Sequence, residues 1–188
     1  MDAYDAINRR VSARTFTPDP VPRPVVERLL AAAVRAPNHK LTEPWRFAVL
    51  TGASVARFAD LRRAYRAMKF PDPAAPEAAK AIEKTWREAR DTPAFVVVLC
   101  AESDDPVRQE EDFAATMMAT ENLLIAAAAE GLATYVRTGG IMREAAVREL
   151  VRAPDGHRIM AIVSLGRPAD PPQPKRRSDP AERTAWLD

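Results

Sequence analysis

Apolar residues recur along this chain at two spacings, and each spacing names an element. Over Pro22–Ala36, the residues Val26, Leu29, Leu30, Ala33 and Val34 form the i, i+3, i+4, i+7, i+8 stripe of an amphipathic helix. Pro24 suits its first turn and Pro37 ends it. Trp45–Leu50 reads as a strand closed by Thr51-Gly52. Ser54 then caps a helix striped by Val55, Phe58, Leu61 and Tyr65. A proline-rich loop, Pro71–Pro76, leads into a polar helix, Glu77–Arg90, with Ile82 and Trp86 on one face.

Phe95–Cys100 is an unbroken apolar run, as in a strand covered on both faces. Pro106–Glu130 is the longest helix. Phe113, Met117, Leu124 and Ala128 mark one stripe, but Ala115, Met118, Ala119 and Ile125 carry apolarity around it, as in a buried helix. Gly131 terminates it as the C′ residue. A short strand, Ala133–Val136, precedes Thr138-Gly139-Gly140; a helix, Arg143–Val151, and a last strand, Ile159–Leu165, follow. These elements make an α+β (α/β) chain, a small sheet among more numerous helices. Residues 1–168 form a single domain. The proline- and charge-rich stretch 169–188 reads as a surface or partner-embracing tail.

Composition narrows the function. The 188 residues suit one domain with a sizeable core. Lys plus Arg is 28 against 26 Asp plus Glu, a net charge of +2, too balanced for a protein whose main partner is nucleic acid. One cysteine excludes an internal disulfide and a multi-cysteine zinc site, and two histidines leave little for a metal centre. No apolar run approaches the ~20 residues of a membrane span. The acidic start, Met1-Asp2-Ala3-Tyr4-Asp5, is unlike a signal peptide, so a cytoplasmic location is expected. Neither a G-x-G-x-x-G fingerprint nor a P-loop occurs. Any bound nucleotide phosphate must then be held mainly by side chains.

Four segments carry candidate chemistry. In Arg10-Val11-Ser12-Ala13-Arg14, an extended backbone puts Arg10, Ser12 and Arg14 on one face. Two guanidinium forks flanking a hydroxyl suit a phosphate monoester, and equally describe a basic surface strand. Arg35-Ala36-Pro37-Asn38-His39-Lys40 follows a helix end, where Arg35 and His39 could meet an anionic ligand or simply complement the helix dipole. Val136-Arg137-Thr138-Gly139-Gly140 ends a strand in glycines, as in a close approach to a flat ligand or in an ordinary turn. Gly166-Arg167-Pro168, with Lys175-Arg176-Arg177 beyond it, offers further cations for an anion site or a solvated tail. His157 reads as a loop residue and Cys100 as an inert core thiol.

Taken in order, these segments resemble the nitroreductase family of FMN-dependent oxidoreductases. Ile7-Asn8-Arg9-Arg10-Val11-Ser12-Ala13-Arg14-Thr15-Phe16 is similar to the family's R-R-S-x-R-x-F opening. Ala36-Pro37-Asn38-His39-Lys40-Leu41-Thr42-Glu43-Pro44-Trp45-Arg46-Phe47 resembles its A-P-S/D…Q-P-W-R-F segment, in the version of the compact NAD(P)H nitroreductase branch. Gly131-Leu132-Ala133-Thr134, Arg137-Thr138-Gly139 and Leu165-Gly166-Arg167-Pro168 follow in order and at approximately the family's spacing.

The resemblance implies a nitroreductase-like fold, a mostly antiparallel central sheet flanked by helices, in an interlocked homodimer with FMN at the subunit interface. It implies that Arg10, Val11, Ser12 and Arg14 meet the FMN phosphate and ribityl chain, with Arg167 adding a phosphate contact. Arg35 and His39 would line the flavin from the partner subunit, and Val136, Arg137 and Thr138 would run beside the isoalloxazine. The long helix would form much of the dimer core, and residues 70–90 would cover the site. The implied activity passes hydride from NADH or NADPH through FMN to a small electrophile such as a nitroaromatic or quinone; the alternative is a non-catalytic flavin-binding protein that keeps the fold. Two residues depart from the family pattern. Val11 replaces a usual basic or polar residue. Glu43 stands where glutamine is common, and its carboxylate would disfavour a reduced, anionic flavin nearby.

Overall fold

Residues 1–170 and 176–187 are described by the structure, a computed structural model. Strands β1 (Trp45–Thr51), β2 (Ala94–Ala101), β3 (Ala133–Arg137) and β4 (His157–Gly166) make one antiparallel sheet in the order β1-β2-β4-β3. The unbroken apolar run takes the position its composition demands, with β2 at the centre and residues 94–100 buried. Val96 pairs with Val163 and Val98 with Ala161. These four side chains point to one face, and Phe95, Val97, Leu99 and Ile162 point to the other.

Each face is covered by its own helical layer. Against the first lie α2 (Arg23–Ala33), through Leu29 and Ala33, and α5 (Pro106–Ala129), through Leu123 and Ala127. Against the second lie α3 (Ala53–Ala67), through Phe58 and Ala59, α4 (Pro76–Arg90), through Ala89, and α6 (Ala145–Leu150), through Val147. Phe58 meets Phe95 edge to face at 4.9 Å. Burying a side chain of this size contributes roughly 1.5–3 kcal/mol.

α5 ends as its sequence requires. Gly131 has φ +73°, its N–H donates to the Ala128 carbonyl, and the Leu132 N–H donates to that of Ala127. This is the Schellman arrangement, which places a left-handed residue where glycine has no Cβ to clash. α5 buries Ala115, Ala119, Leu123 and Ala127, yet Phe113 is 40% and Met118 43% exposed. Part of the expected apolar circumference therefore stays uncovered in the single chain.

Four local expectations need correction. A short helix, α1 (Ala3–Arg9), precedes the first predicted element; it buries only Ala6, so it writes no apolar stripe, and Asp2 caps it by accepting from the Asp5 N–H. Ser54 is not the cap of α3. It lies inside the first turn, where its hydroxyl accepts from the Thr51 N–H and donates to the Thr51 carbonyl, closing the β1–α3 corner. The helix expected over Arg143–Val151 is a 3-10 turn, Gly140–Arg143, followed by α6, with extended Glu144 between them. His157 opens β4 rather than lying in a loop. Among the described residues, no helix is long and apolar enough to cross a membrane.

Candidate active site at the β3 edge

β3 is an edge strand, and the N-terminal segment takes up the free carbonyl of its Thr134. Ser12 bridges Thr134 in parallel, and the Ala13 N–H donates to the Thr134 carbonyl at 3.0 Å. Further along, Phe16 bridges Pro168, the Thr17 N–H donates to the Arg167 carbonyl at 2.9 Å, and the Ala169 N–H donates to that of Thr15. These bonds join three segments far apart in sequence: residues 10–17, 133–138 and 166–169. Packing reinforces the joint. A Cβ on Gly166 would stand 3.0 Å from both Phe16 and Pro93, so any larger residue there would push these neighbours aside by a few tenths of an ångström.

The predicted alternation holds in part. Ala13 is buried, Ser12 and Arg14 are exposed, and Val11 is half-buried. Arg10 is the C-cap of α1 and its guanidinium faces Glu121 on α5 at 3.4 Å. Arg14 donates to the Tyr135 hydroxyl at 2.9 Å and stands over that ring, 5.0 Å from its centre. Arg137 stands 4.7 Å from the same ring centre and donates through Nε to the Ser164 hydroxyl at 3.3 Å. Val136 packs toward the α2/α5 layer, so Arg137 reaches the opposite layer, as strand alternation dictates. Thr138 and Arg167 are exposed.

Arg35 and His39 do not join this cluster. His39 lies in a 3-10 turn, His39–Leu41, with its Nδ1 2.7 Å from Glu111 of α5. Glu111 and Arg10's partner Glu121 are ten residues apart on one helix, about 15 Å along its axis. The loop is tightly held: the Glu43 N–H donates to Asn38, and Thr42 donates to the buried Asp112 at 2.6 Å. Lys40, Leu41 and Glu43 all have positive φ, a costly backbone for residues with a Cβ. Arg46 donates to the backbone carbonyl of Glu43. Lys175 lies outside the described residues, and Arg176 is exposed.

Several residues at this edge escape reading from sequence. Arg62, on α3, lines a cavity of about 280 Å³ with Arg137, Tyr135, Phe58 and Met142. Its Nη1 is buried and has no hydrogen-bond partner among the described residues, and neither has Nη2 of Arg137. Glu88 of α4 approaches Arg137 Nη2 at 4.0 Å, too far for a hydrogen bond. Burial, then the neighbouring Arg137, pushes the Arg62 pKa down to about 10. Burial also lowers that of Arg137, against the pull of Glu88 and Tyr135. One signal for Arg62 existed: it continues the Val55, Phe58, Ala59 stripe at helical spacing, a cation where an apolar residue belongs. A second hollow, about 520 Å³, lies between Arg14–Phe16 and α4, lined by Lys80, Lys84, Arg87 and Glu88 among others.

The known proteins that this chain resembles share this architecture. It is 30% identical over 184 residues to "Putative NAD(P)H nitroreductase YfhC" of Bacillus subtilis, covering 95% of this chain and 91% of that protein. The crystal structure of a nitroreductase-like family protein from Bacillus cereus superposes with a TM-score of 0.82 at 28% identity, covering 100% of this chain and 97% of that one. An FMN- and NADPH-dependent nitroreductase, NfnB, from sphigopyxis sp. strain HMH shares the fold at 20% identity, with a TM-score of 0.81 and full coverage of both chains. The sequence profile of the Nitroreductase family spans residues 7–167, from the end of α1 through the Arg167 junction, and the chain belongs to that family.

Proposed function

We propose that this protein is an FMN-dependent oxidoreductase that takes electrons from NADH or NADPH and delivers them to a small electrophilic acceptor such as a nitroaromatic or quinone. The observation that carries the reading is the backbone junction of residues 10–17, 133–138 and 166–169, which brings together the segments that carry Arg10, Ser12, Arg14, Arg137 and Arg167. Family membership and the cofactors named for NfnB support it.

The residues fit the cofactor. Ser12, Arg14 and Arg167 are exposed and present hydroxyl and guanidinium donors to a phosphate, and Arg137 keeps a buried donor unsatisfied among the described residues. In this reading Arg10, Ser12, Arg14 and Arg167 hold the phosphate and ribityl chain. Val11 supplies apolar contact where relatives offer a polar one. Val136, Arg137 and Thr138 flank the ring system. Bound FMN supplies two-electron chemistry between the nicotinamide donor and the acceptor. Arg137 contributes fixed positive charge in a low-dielectric setting, where it offsets negative charge developing on the ring. Ser164 fixes its Nε and Tyr135 stacks on it, so the guanidinium needs no reorganisation. α4 acts as a wall of the site through Glu88, and the segment 70–90 sets acceptor size.

The homodimer belongs to the same proposal. Tyr4, which is 81% exposed, and Ile7 lie on α1, and the exposed Phe113 and Met118 lie on α5, against which α1 packs. A second copy covering this surface brings its own Arg35 and His39 to the flavin, which accounts for their distance from Arg10 within one chain. The test is an absorption spectrum of the purified protein with added FMN, before and after anaerobic NADH and NADPH. A bound flavin band that bleaches on donor addition is expected. Absence of bound flavin sinks the assignment of Arg10, Ser12 and Arg14. Bound flavin that neither donor reduces supports a non-catalytic flavin-binding protein.

A further inference from the structure

The cavity between α3, β3 and the Gly140–Arg143 turn carries more positive charge than its surroundings neutralise. Arg62 and Arg137 both face it, each with a buried nitrogen that finds no partner among the described residues. The carboxylate facing Arg137, that of Glu88, stands 4.0 Å off. Arg14, bonded to the neutral Tyr135 hydroxyl, keeps its charge but does not line the cavity. The two guanidinium groups in the lining outweigh the one nearby carboxylate, which calls for an anion. The remaining wall is mixed: Phe58, Met142 and Ile162 give it apolar surface, and Tyr135 and Thr138 add an aromatic ring and a polar side chain. Its volume of about 280 Å³ falls just below the ~300 Å³ at which pockets begin to take drug-sized ligands, so it suits a single ring. A planar carboxylate matches the forked donors of arginine.

We propose that this cavity binds the carboxylate of a small aromatic monoanion through Arg62 and Arg137, and so selects acidic aromatic acceptors. This names an acceptor class for the flavin site above and rests on that reading for the word acceptor; the anion site itself stands without it. Arg62 is a binding residue here, and its buried donors find partners when the carboxylate enters.

The test uses phenylacetate and its neutral isostere phenylacetamide, titrated by calorimetry into apoprotein and into FMN-loaded protein. Phenylacetate should bind both forms, about tenfold or more tightly than phenylacetamide, as expected for charge-assisted recognition. Arg62→Met should remove that preference, and Arg62→Lys should restore part of it, with FMN content unchanged. Equal binding of the two probes, or an unaltered preference in Arg62→Met, overturns the proposal. Should Arg62→Met fail to fold, the wild-type comparison of the two probes and the Arg62→Lys variant still decide. Phenylacetate binding to apoprotein alone means that the flavin itself occupies the cavity, which overturns the acceptor role. Failure to take up FMN defeats the functional reading above, while the apoprotein titration still decides the anion site.

Discussion

The two edges of the sheet do opposite work. At the β1 edge, a seven-residue strand with exposed Arg46, Val49 and Thr51 faces outward, closed at its end by Ser54. At the β3 edge, the strand has five residues; the N-terminal segment bonds to it at Thr134 and then runs on to bond the Arg167 junction. An edge strand has unpaired backbone groups, which proteins either guard or use. Here β1 is guarded by an exposed arginine, whereas β3 is used to gather Arg14, Tyr135, Arg137 and Ser164. The difference teaches that the site is built by backbone pairing first and by side chains second.

The sharpest way to break this contrast is to loosen the β3 junction. Phe16→Ala removes a buried ring against Gly166 and Pro93 and should cost about 3 kcal/mol in urea unfolding, with FMN uptake lost in the same variant. Next in size is Arg62→Met. A half-buried cation whose Nη1 finds no partner among the described residues, replaced by a thioether of similar reach, should stabilise the flavin-free protein by about 1–3 kcal/mol. The sign of its pH dependence follows from burial. Burial pushes native Arg62 down to about 10, while in the unfolded chain it keeps the higher, ordinary arginine value. Between those values the unfolded state binds more protons, so wild-type stability rises with pH. The advantage of Arg62→Met should therefore be constant below pH 10 and shrink above it; a constant difference across that window would contradict the burial argument.

Arg137→Ala should make bound flavin harder to reduce, by about 30 mV for each ~1.4 kcal/mol of lost charge stabilisation. An unchanged midpoint potential in spectroelectrochemistry would refute the role assigned to Arg137. A smaller effect tests the turn that closes the cavity. A Cβ on Gly140 would run into the Tyr65 hydroxyl oxygen, so Gly140→Ala should cost about 1 kcal/mol, and adding Tyr65→Phe should recover part of it. At the opposite edge, Val49→Thr should change stability by no more than ~0.5 kcal/mol and leave flavin uptake untouched. An effect there comparable to that of Phe16→Ala would erase the distinction between the edges.

Much of the architecture was legible before any coordinates. Phe95–Cys100 announced the central strand, because burial on both faces leaves no room for polar alternation. Gly131 announced the end of α5, because a left-handed C′ residue favours glycine. The order of Arg10-Val11-Ser12-Ala13-Arg14, Arg137-Thr138 and Gly166-Arg167-Pro168 pointed to the family. α1 was missed because a helix burying only Ala6 has no stripe to read. Ser54 was misplaced because its hydroxyl serves the Thr51 corner instead of a helix N-terminus. Arg62 was missed because it looks like a surface arginine until Phe58 and Ala59 are seen to face the core.

By itself, then, the sequence determined local conformation and burial pattern: which segments are helices, which strand is central, and which short runs carry donors for an anion. Those properties depend on neighbours within about one turn or one strand, so spacing records them. Only the tertiary structure decided that Ser12 and Ala13 pair with β3 while residues 15–17 pair with 167–169, that Arg62 and Arg137 face one cavity, and that Arg35 and His39 stand apart from both. Long-range pairing depends on which backbone groups remain unpaired after the sheet forms, and that is a property of the whole fold.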